Sequence, residues 1–199
     1  AIESQEQGDA SLACLAQSAG LDYQVPIGSL PGHFRRQRSD FPQHAGYLQA
    51  EPARVAYWKQ RLNAQGPGLK VGISWAGGAP STRGESRSLP LPQWAPILAQ
   101  PACHFVSLQY GRAGDDPQAA SQQQRVAIHA WREAIESYTE TAALVAALDL
   151  VISVQTALIH LTGALGKPAW VMLQRASEWR YLEQGATMPW YPSVRLTRQ

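Results

Sequence analysis

The chain has 199 residues, 45% of them hydrophobic, enough for one full-sized domain with an appendage but too few for two complete large domains. Only 16% are charged while glycine and proline number 16 and 14, the balance of a loop-rich, well-buried chain and not of a disordered one. Lys and Arg outnumber Asp and Glu by 17 to 15, a formal charge of +2, and no basic run exceeds Arg35-Arg36, which argues against a phosphate-neutralising stripe and so against nucleic acid as a partner.

The first sixty residues have no regular rhythm. A helix is expected over 12–19, a short extended segment over 23–27, and a connection rich in Pro, Gly and Arg over 26–42. A second helix follows over 53–62, amphipathic, with Val55, Trp58, Lys59 and Leu62 on one face. The turn-forming run Asn63-Ala64-Gln65-Gly66-Pro67-Gly68 then divides residues 1–66 from residues 67–199. Cys14 and Cys103 make no CxxC or Cys/His metal spacing, and the expectation is two reduced, buried thiols with no metal. Ala1 is not an initiator Met and no basic-then-apolar segment opens the chain, so it reads as a piece of a longer protein without a signal peptide.

From Leu69 onward short apolar runs alternate with amphipathic stretches, the pattern of a parallel sheet covered by helices on both faces. The first strand is predicted over 69–75, a helix with Pro at its start over 92–100, a second strand over 103–109 and a third over 125–130. Residues 111–124 are polar and read as a loop with a partial helix. Ser137-Tyr138-Thr139-Glu140 fits a capping box ahead of a helix carrying Thr141, Leu144, Val145 and Leu148. The fourth strand is predicted over 149–154. Thr156 caps a helix that runs to Gly166, with Pro168 beyond it, and a fifth strand follows over 169–173; the tail 190–196 adds a sixth. The apolar stretch 142–166 carries Asp149, Ser153, Gln155, Thr156 and His160, too polar to span a membrane.

In an open parallel sheet, ligands bind where the carboxyl ends of the strands meet the helix N-termini. That rule selects Trp75 to Gly78 after the first strand, Gln109 to Gly111 after the second, Gln155 and Thr156 after the fourth and Gln174 after the fifth. The run Val71 to Gly78 is glycine-rich, but Gly78 stands where a P-loop requires lysine, and GxGxxG is absent. The helix after the fourth strand points its free N–H groups and positive dipole end at this edge, a setting for a diphosphate, with the Thr156 hydroxyl beside it and His160 one turn deeper. Arg83, Arg87 and Ser88 lie in the loop after the first strand, where arginine can clamp phosphate oxygens.

Taken in order, VGISWAGG, SRSLPLPQW, FVSLQYG, LVAALDLVISVQTALIHLTGALGKPAWVML, EWRYL and PWYPSVRLTRQ resemble the C-terminal half of bacterial glycosyltransferases related to the ADP-heptose heptosyltransferases, including those fused to tetratricopeptide repeats. The resemblance covers about residues 23–199. It implies an α/β fold, the Rossmann-like C-terminal domain of a GT-B enzyme with a short N-terminal appendage: residues 1–66 a remnant of the first domain and linker, residues 67–199 the domain that binds a nucleoside-diphosphate sugar. It puts Arg87 and Ser88 at the family's basic donor-loop site, and Thr156 and His160 in its aspartate-threonine-(x)-histidine motif. Gln155 departs from that motif, standing where the family has Asp; of the acceptor-side domain only a short terminal stretch is expected before the hinge, and the closing C-terminal helix has no counterpart here.

Those residues lead to a glycosyltransferase-type domain holding a nucleoside-diphosphate sugar for an unidentified acceptor, a glycan, lipid-linked glycan or protein. The donor is its substrate, no cofactor or metal is needed, and the site is built from Ser74, Trp75, Gly77, Arg87, Ser88, Gln109, Gln155, Thr156 and His160, with His160 and Arg87 as candidate stabilisers of the leaving diphosphate. No catalytic base is assigned, and the chain alone is expected to be inactive. The place implied is the cytoplasm, free or at the inner face of the membrane. The alternative is a non-catalytic nucleotide-sugar-binding or protein-docking domain, favoured by Gln155.

Overall fold

Short apolar runs separated by helical stretches become the strands of one sheet in the computed structural model, which describes residues 23–77, 84–110, 121 and 126–199. The helix predicted over 12–19, Cys14, Gly78, Arg83 and nearly all of the polar stretch 111–124 lie outside the described residues. The chain divides into two units, Ala1–Pro42 and Gln43–Gln199. In the first, two 3-10 turns, Ile27–Ser29 and Arg38–Asp40, flank the short helix α1 (Leu30–Phe34), and none of these residues is buried.

The second unit runs through α2 (Pro52–Asn63), β1 (Leu69–Ser74), α3 (Ala95–Leu98), β2 (Cys103–Ser107), β3 (Ile128–His129), α4 (Arg132–Glu136), α5 (Tyr138–Ala147), β4 (Leu150–Val154), α6 (Ala157–Ala164), β5 (Ala169–Leu173), β6 (Thr187–Met188) and β7 (Tyr191–Arg198). The strand order is β3-β2-β1-β4-β5-β7-β6, and every pairing is parallel except β6 with β7. This is the Rossmann-like sheet the pattern predicts, with two additions it did not signal: the five-residue α4 and the two-residue β6. The predicted tail strand is longer than expected and lies against β5, aligning Ala169 with Val194 and Leu173 with Arg198.

Strand side chains alternate between two cores, as the two-residue period requires. Val106, Val151, Val171 and Leu196 face α2, α5 and α6, while Val71, Ile73, Phe105, Ile152 and Val154 pack against Leu91, Trp94 and Leu98 on the other side. Helix α2 belongs to the first of these cores through Trp58 and Leu62. Residues 43–66, which the sequence division assigns to the N-terminal segment, therefore fold into the unit that holds the sheet.

The predicted capping box does not form. The Ser137 side chain makes no capping hydrogen bond, and the Glu140 carboxylate, which would have reached back to the Ser137 backbone N–H, is engaged elsewhere. Glu140 accepts two hydrogen bonds from Arg54, at 2.7 and 2.9 Å, and a third from Trp58 Nε1 at 2.9 Å. These bonds tie α2 to α5 and hold the Glu140 carboxyl below the usual carboxylate range, chiefly through the Arg54 hydrogen bond. Thr141 Oγ1 ties the first turn of α5 to α4, with contacts to the Ala134 and Ser137 carbonyls.

Two glycines set the packing of α6. Gly166 ends it with φ +69°, the left-handed conformation expected of a helix-terminating glycine, and a Cβ there would fall 1.8 Å from the Ala45 carbonyl oxygen. Gly163 lets the Tyr191 ring lie directly on the helix: a Cβ would stand 2.3 Å from Tyr191 Cγ. Replacing Gly163→Ala is expected to cost about 1–3 kcal/mol through overpacking, lowering the melting temperature by several degrees. A thermal melt checks it, and an unchanged midpoint would mean that the tyrosine ring gives way.

Candidate functional site

Strands β1 and β4 are neighbours, yet the chain leaves β1 towards β2 and β4 towards β5. Where strand order reverses like this, the two following loops part and leave a crevice at the carboxyl ends. Here the crevice is bounded by the 75–77 turn after β1 and the start of α6 after β4. The turn is held from the β2 side by Gln109, whose Oε1 accepts from Ser74 Oγ at 3.1 Å, Trp75 N at 3.0 Å and Ala76 N at 2.9 Å. Its Nε2 donates to the Ala76 and Tyr110 carbonyls at 3.0 and 3.2 Å. Both ends of this buried carboxamide are in use.

The expected ligand contacts Ser74, Trp75 and Gln109 thus sit in the framework: the polar atoms of Ser74 and Gln109 bond to the turn, and the Trp75 indole, 5% exposed, packs in the core with Leu91 and Trp94. The other candidates converge. Gly77 N donates to Ser88 Oγ at 3.1 Å, and Ser88 Oγ donates to the Gly84 carbonyl at 2.7 Å. Arg87 Nη1 donates to the Gln155 carbonyl at 3.3 Å and to Glu178 Oε1 at 3.4 Å. A Cβ on Gly77 would meet the Gln155 carbonyl oxygen at 3.2 Å, Arg87 Cβ at 3.5 Å and Thr156 Cγ2 at 3.6 Å. Gly77, Arg87, Ser88, Gln155 and Thr156 therefore form one cluster.

Thr156 is the N-cap residue of α6 with extended backbone, φ −135° and ψ 168°, and its side chain caps nothing. Its Oγ1 lies 3.2 Å from Ser153 Oγ, which donates to the Val154 carbonyl. The first N–H groups of a helix have no intrahelical acceptors, so this end of α6 carries partial positive charge towards the crevice. Gln155, just before it, is 2% exposed, and neither heteroatom of its carboxamide has a hydrogen-bond partner. Leaving such a group unpaired costs about 1–3 kcal/mol.

A cavity of about 220 Å³ opens between residues 86–89 and the ends of β4, β5 and β7, at residues 154–155, 172–174 and 197–199. It shares Arg87, Ser88 and Gln155 with the predicted site. Gln174, expected at the carboxyl end of the fifth strand, lines the cavity; Thr197 and Gln199 were not among the predicted contacts, because their presence depends on β7 lying beside β5, which no local pattern encodes. Arg198 pins the adjoining loop, donating to the carbonyls of Tyr181, Leu182 and Gly185 at 2.6, 3.1 and 3.0 Å. Glu178 bridges Arg87 to Arg180, at 3.4 and 3.2 Å.

His160 is outside the lining of this cavity. One turn down α6, its ring lies against Tyr181 and Tyr191, with centroids 6.1 and 5.8 Å apart. Burial lowers its pKa, Arg180 lowers it further, and Glu178 opposes them in part. The imidazole is uncharged near neutral pH. Among the described residues, no three His, Cys, Asp or Glu side chains gather in a metal-holding group, and no helix is long and apolar enough to cross a membrane.

No protein-family model matches the chain. It is 38% identical over 179 residues to protein FlbA of Caulobacter vibrioides, a match covering 88% of this chain and 29% of FlbA. Among solved structures it resembles the E. coli ADP-heptose LPS heptosyltransferase II, with a TM-score of 0.56 and 17% identity over 83% of this chain and 50% of that one. It also resembles a family 9 glycosyl transferase of Veillonella parvula, with a TM-score of 0.57 and 12% identity over 79% of this chain and 44% of that one. At such identities the likeness is one of fold: the chain has the fold of one half of a GT-B glycosyltransferase. It spans under a third of FlbA and no more than half of either enzyme.

The His160 environment is directly measurable. Its NMR titration midpoint is expected below the ordinary histidine value of 6.5. Because the unfolded chain then binds the proton more readily, His160 makes no contribution above that value and destabilises the fold as pH falls below it. A midpoint above 6.5 would contradict the buried placement.

Proposed function

We propose that this chain is the donor-binding half of a GT-B glycosyltransferase and holds a nucleoside-diphosphate sugar at the carboxyl ends of β1 and β4. The observation that carries the reading is the meeting of Gly77, Arg87, Ser88 and Thr156 at the N-terminus of α6. Backbone N–H groups, a helix dipole and a guanidinium aimed at one crevice form a setting for a diphosphate. In sugar transfer, negative charge grows on the leaving diphosphate, and donors already in place stabilise it without reorganising. The α6 N-terminus and Arg87 supply that stabilisation in this reading, and His160 serves as a neutral hydrogen-bonding group behind them. The likeness in fold to a heptosyltransferase acting on ADP-heptose supports this substrate class without selecting the base or the sugar.

Acceptor binding and the general base fall to a partner domain on this reading, since the chain covers only half of the solved enzyme. Further segments, tetratricopeptide repeats among them, and the acceptor itself belong to the same proposal. A second reading, a non-catalytic donor-binding or docking domain, is favoured by the neutral Gln155 where the related motif carries Asp. Turnover by the protein with its partner domain decides between them.

Two outcomes test the proposal. ADP, UDP, GDP or CDP at 100 times its dissociation constant is expected to stabilise the fold by about 2.7 kcal/mol. Replacing Arg87→Ala should weaken that nucleotide about tenfold to a hundredfold, the worth of a hydrogen bond to a charged group. If no nucleotide moves the melting curve at millimolar concentration, the pocket reading is wrong. Separately, the 199-residue chain alone is expected to transfer no sugar, because losing orientation and acid–base help removes several orders of magnitude in rate. Transfer that survives repurification of the chain would show the acceptor side to be dispensable.

A further inference from the structure

Gln155 is almost fully buried, and neither end of its carboxamide has a partner. Buried amides in native proteins are nearly always paired, so this one asks for an explanation. Gln109 shows how the same sheet edge satisfies a structural carboxamide, with five hydrogen bonds using both ends. Nothing comparable reaches Gln155. The nearest hydroxyls on β4 and the N-cap, those of Ser153 and Thr156, face each other at 3.2 Å.

The chemistry of the missing partner follows from the group itself. A carboxamide offers an acceptor at Oε1 and donors at Nε2, so one class of partner must both donate and accept. Ionised phosphate only accepts and would leave Oε1 unpaired. Water does both, and among the groups a nucleotide sugar carries the sugar alcohols do as water does. The cavity that Gln155 lines has a volume of about 220 Å³, below the roughly 300–1,000 Å³ of pockets that take drug-sized ligands, which suits one ring and not a whole nucleotide sugar. Its neutral polar walls include Ser88, Gln174, Thr197 and Gln199. Of its two arginines, Arg198 is engaged with the carbonyls of the 181–185 loop, and Arg87, held by Glu178 and the Gln155 carbonyl, is the one assigned above to the diphosphate.

We infer that Gln155 is a specificity-determining residue whose carboxamide pairs with hydroxyls of the sugar carried by the donor, while the diphosphate lies at the start of α6. This rests on the donor-binding reading above. A neutral, hydroxyl-rich sugar satisfies both ends of the amide, and a ring lacking those hydroxyls leaves it unpaired. Sites built to hydrogen-bond a hydroxyl reject analogues without it by large factors for this reason.

The test compares the wild type with Gln155→Leu and Gln155→Met. Melting temperature is measured without ligand. Dissociation constants are measured for ADP, UDP, GDP and CDP, and for ADP-glucose, UDP-glucose, GDP-mannose and CDP-glucose. Without ligand, at least one variant is expected to melt at or above the wild-type temperature, because an apolar side chain of similar size removes the unpaired atoms. For the nucleotide that binds the wild type, the sugar-bearing form should weaken tenfold or more in the variants, and the plain diphosphate less than twofold. Equal losses on both forms, or no loss on either, overturn the inference while the donor-binding reading stands. A lower ligand-free melting temperature in both variants also overturns it, since the amide is then structurally engaged. Failure of all eight nucleotides to bind the wild type overturns the donor-binding reading and this inference with it.

Discussion

The close approach of Gly77 to the Gln155 carbonyl governs the carboxyl end of this sheet. With any side chain at residue 77, a Cβ would press on that oxygen at 3.2 Å, and the two walls would have to separate by a few tenths of an ångström. Separation would loosen the Arg87 contact to the same carbonyl, already 3.3 Å long, and the bond from Gly77 N to Ser88 Oγ. The reversal of strand order opens a crevice, and the glycine allows its two walls to be joined at the base. Gln109 then braces the β1 turn from the far side. The result is a site whose backbone is positioned before any ligand arrives, the condition under which fixed dipoles act on developing charge without reorganisation.

Few charges are available in this chain, and several of the described ones tie elements together. Arg54 and Glu140 join α2 to α5, Arg61 and Glu133 join α2 to α4, and Arg198 threads the 177–185 loop. Exposed pairs of this kind contribute modestly to stability. Their effect here is one of placement, since α2 carries Trp58 into the core only where Glu140 can receive its indole N–H. Beside the cavity, Glu178 is shared by Arg87 and Arg180. Ser74, Gln109 and Ser153, buried at the same edge, are hydrogen-bonded, which sets the unpaired Gln155 carboxamide apart from them.

Much of the fold was legible because its signals are local. Apolar runs of about five residues marked β1, β2, β4 and β5, and the glycine at 166 ended α6 where its positive φ requires it. The capping box at Ser137 and Glu140 failed for a non-local reason: a carboxylate that fits a helix cap fits Arg54 and Trp58 as well, and these residues, more than eighty positions away, arrive with better geometry. The same distinction separates the site residues. Arg87, Gln155 and Thr156, expected from their places after strands, and Ser88, expected from the family resemblance, come together in one cluster, whereas Trp75 and Gln109 occupy equally plausible positions and turn inward.

The sequence by itself determined the class of fold, a parallel sheet wrapped by helices, and the strand ends at which ligand chemistry would gather, because periodicity and turn residues act over a few positions along the chain. Only the tertiary structure decided that β7 lies beside β5 and supplies Thr197 and Gln199 to the cavity, that α2 belongs to the sheet's own core, and that Gln109 is satisfied while Gln155 is not. Those outcomes depend on which distant groups meet within hydrogen-bonding distance, a competition settled by packing across the whole sheet and not by any local run of residues.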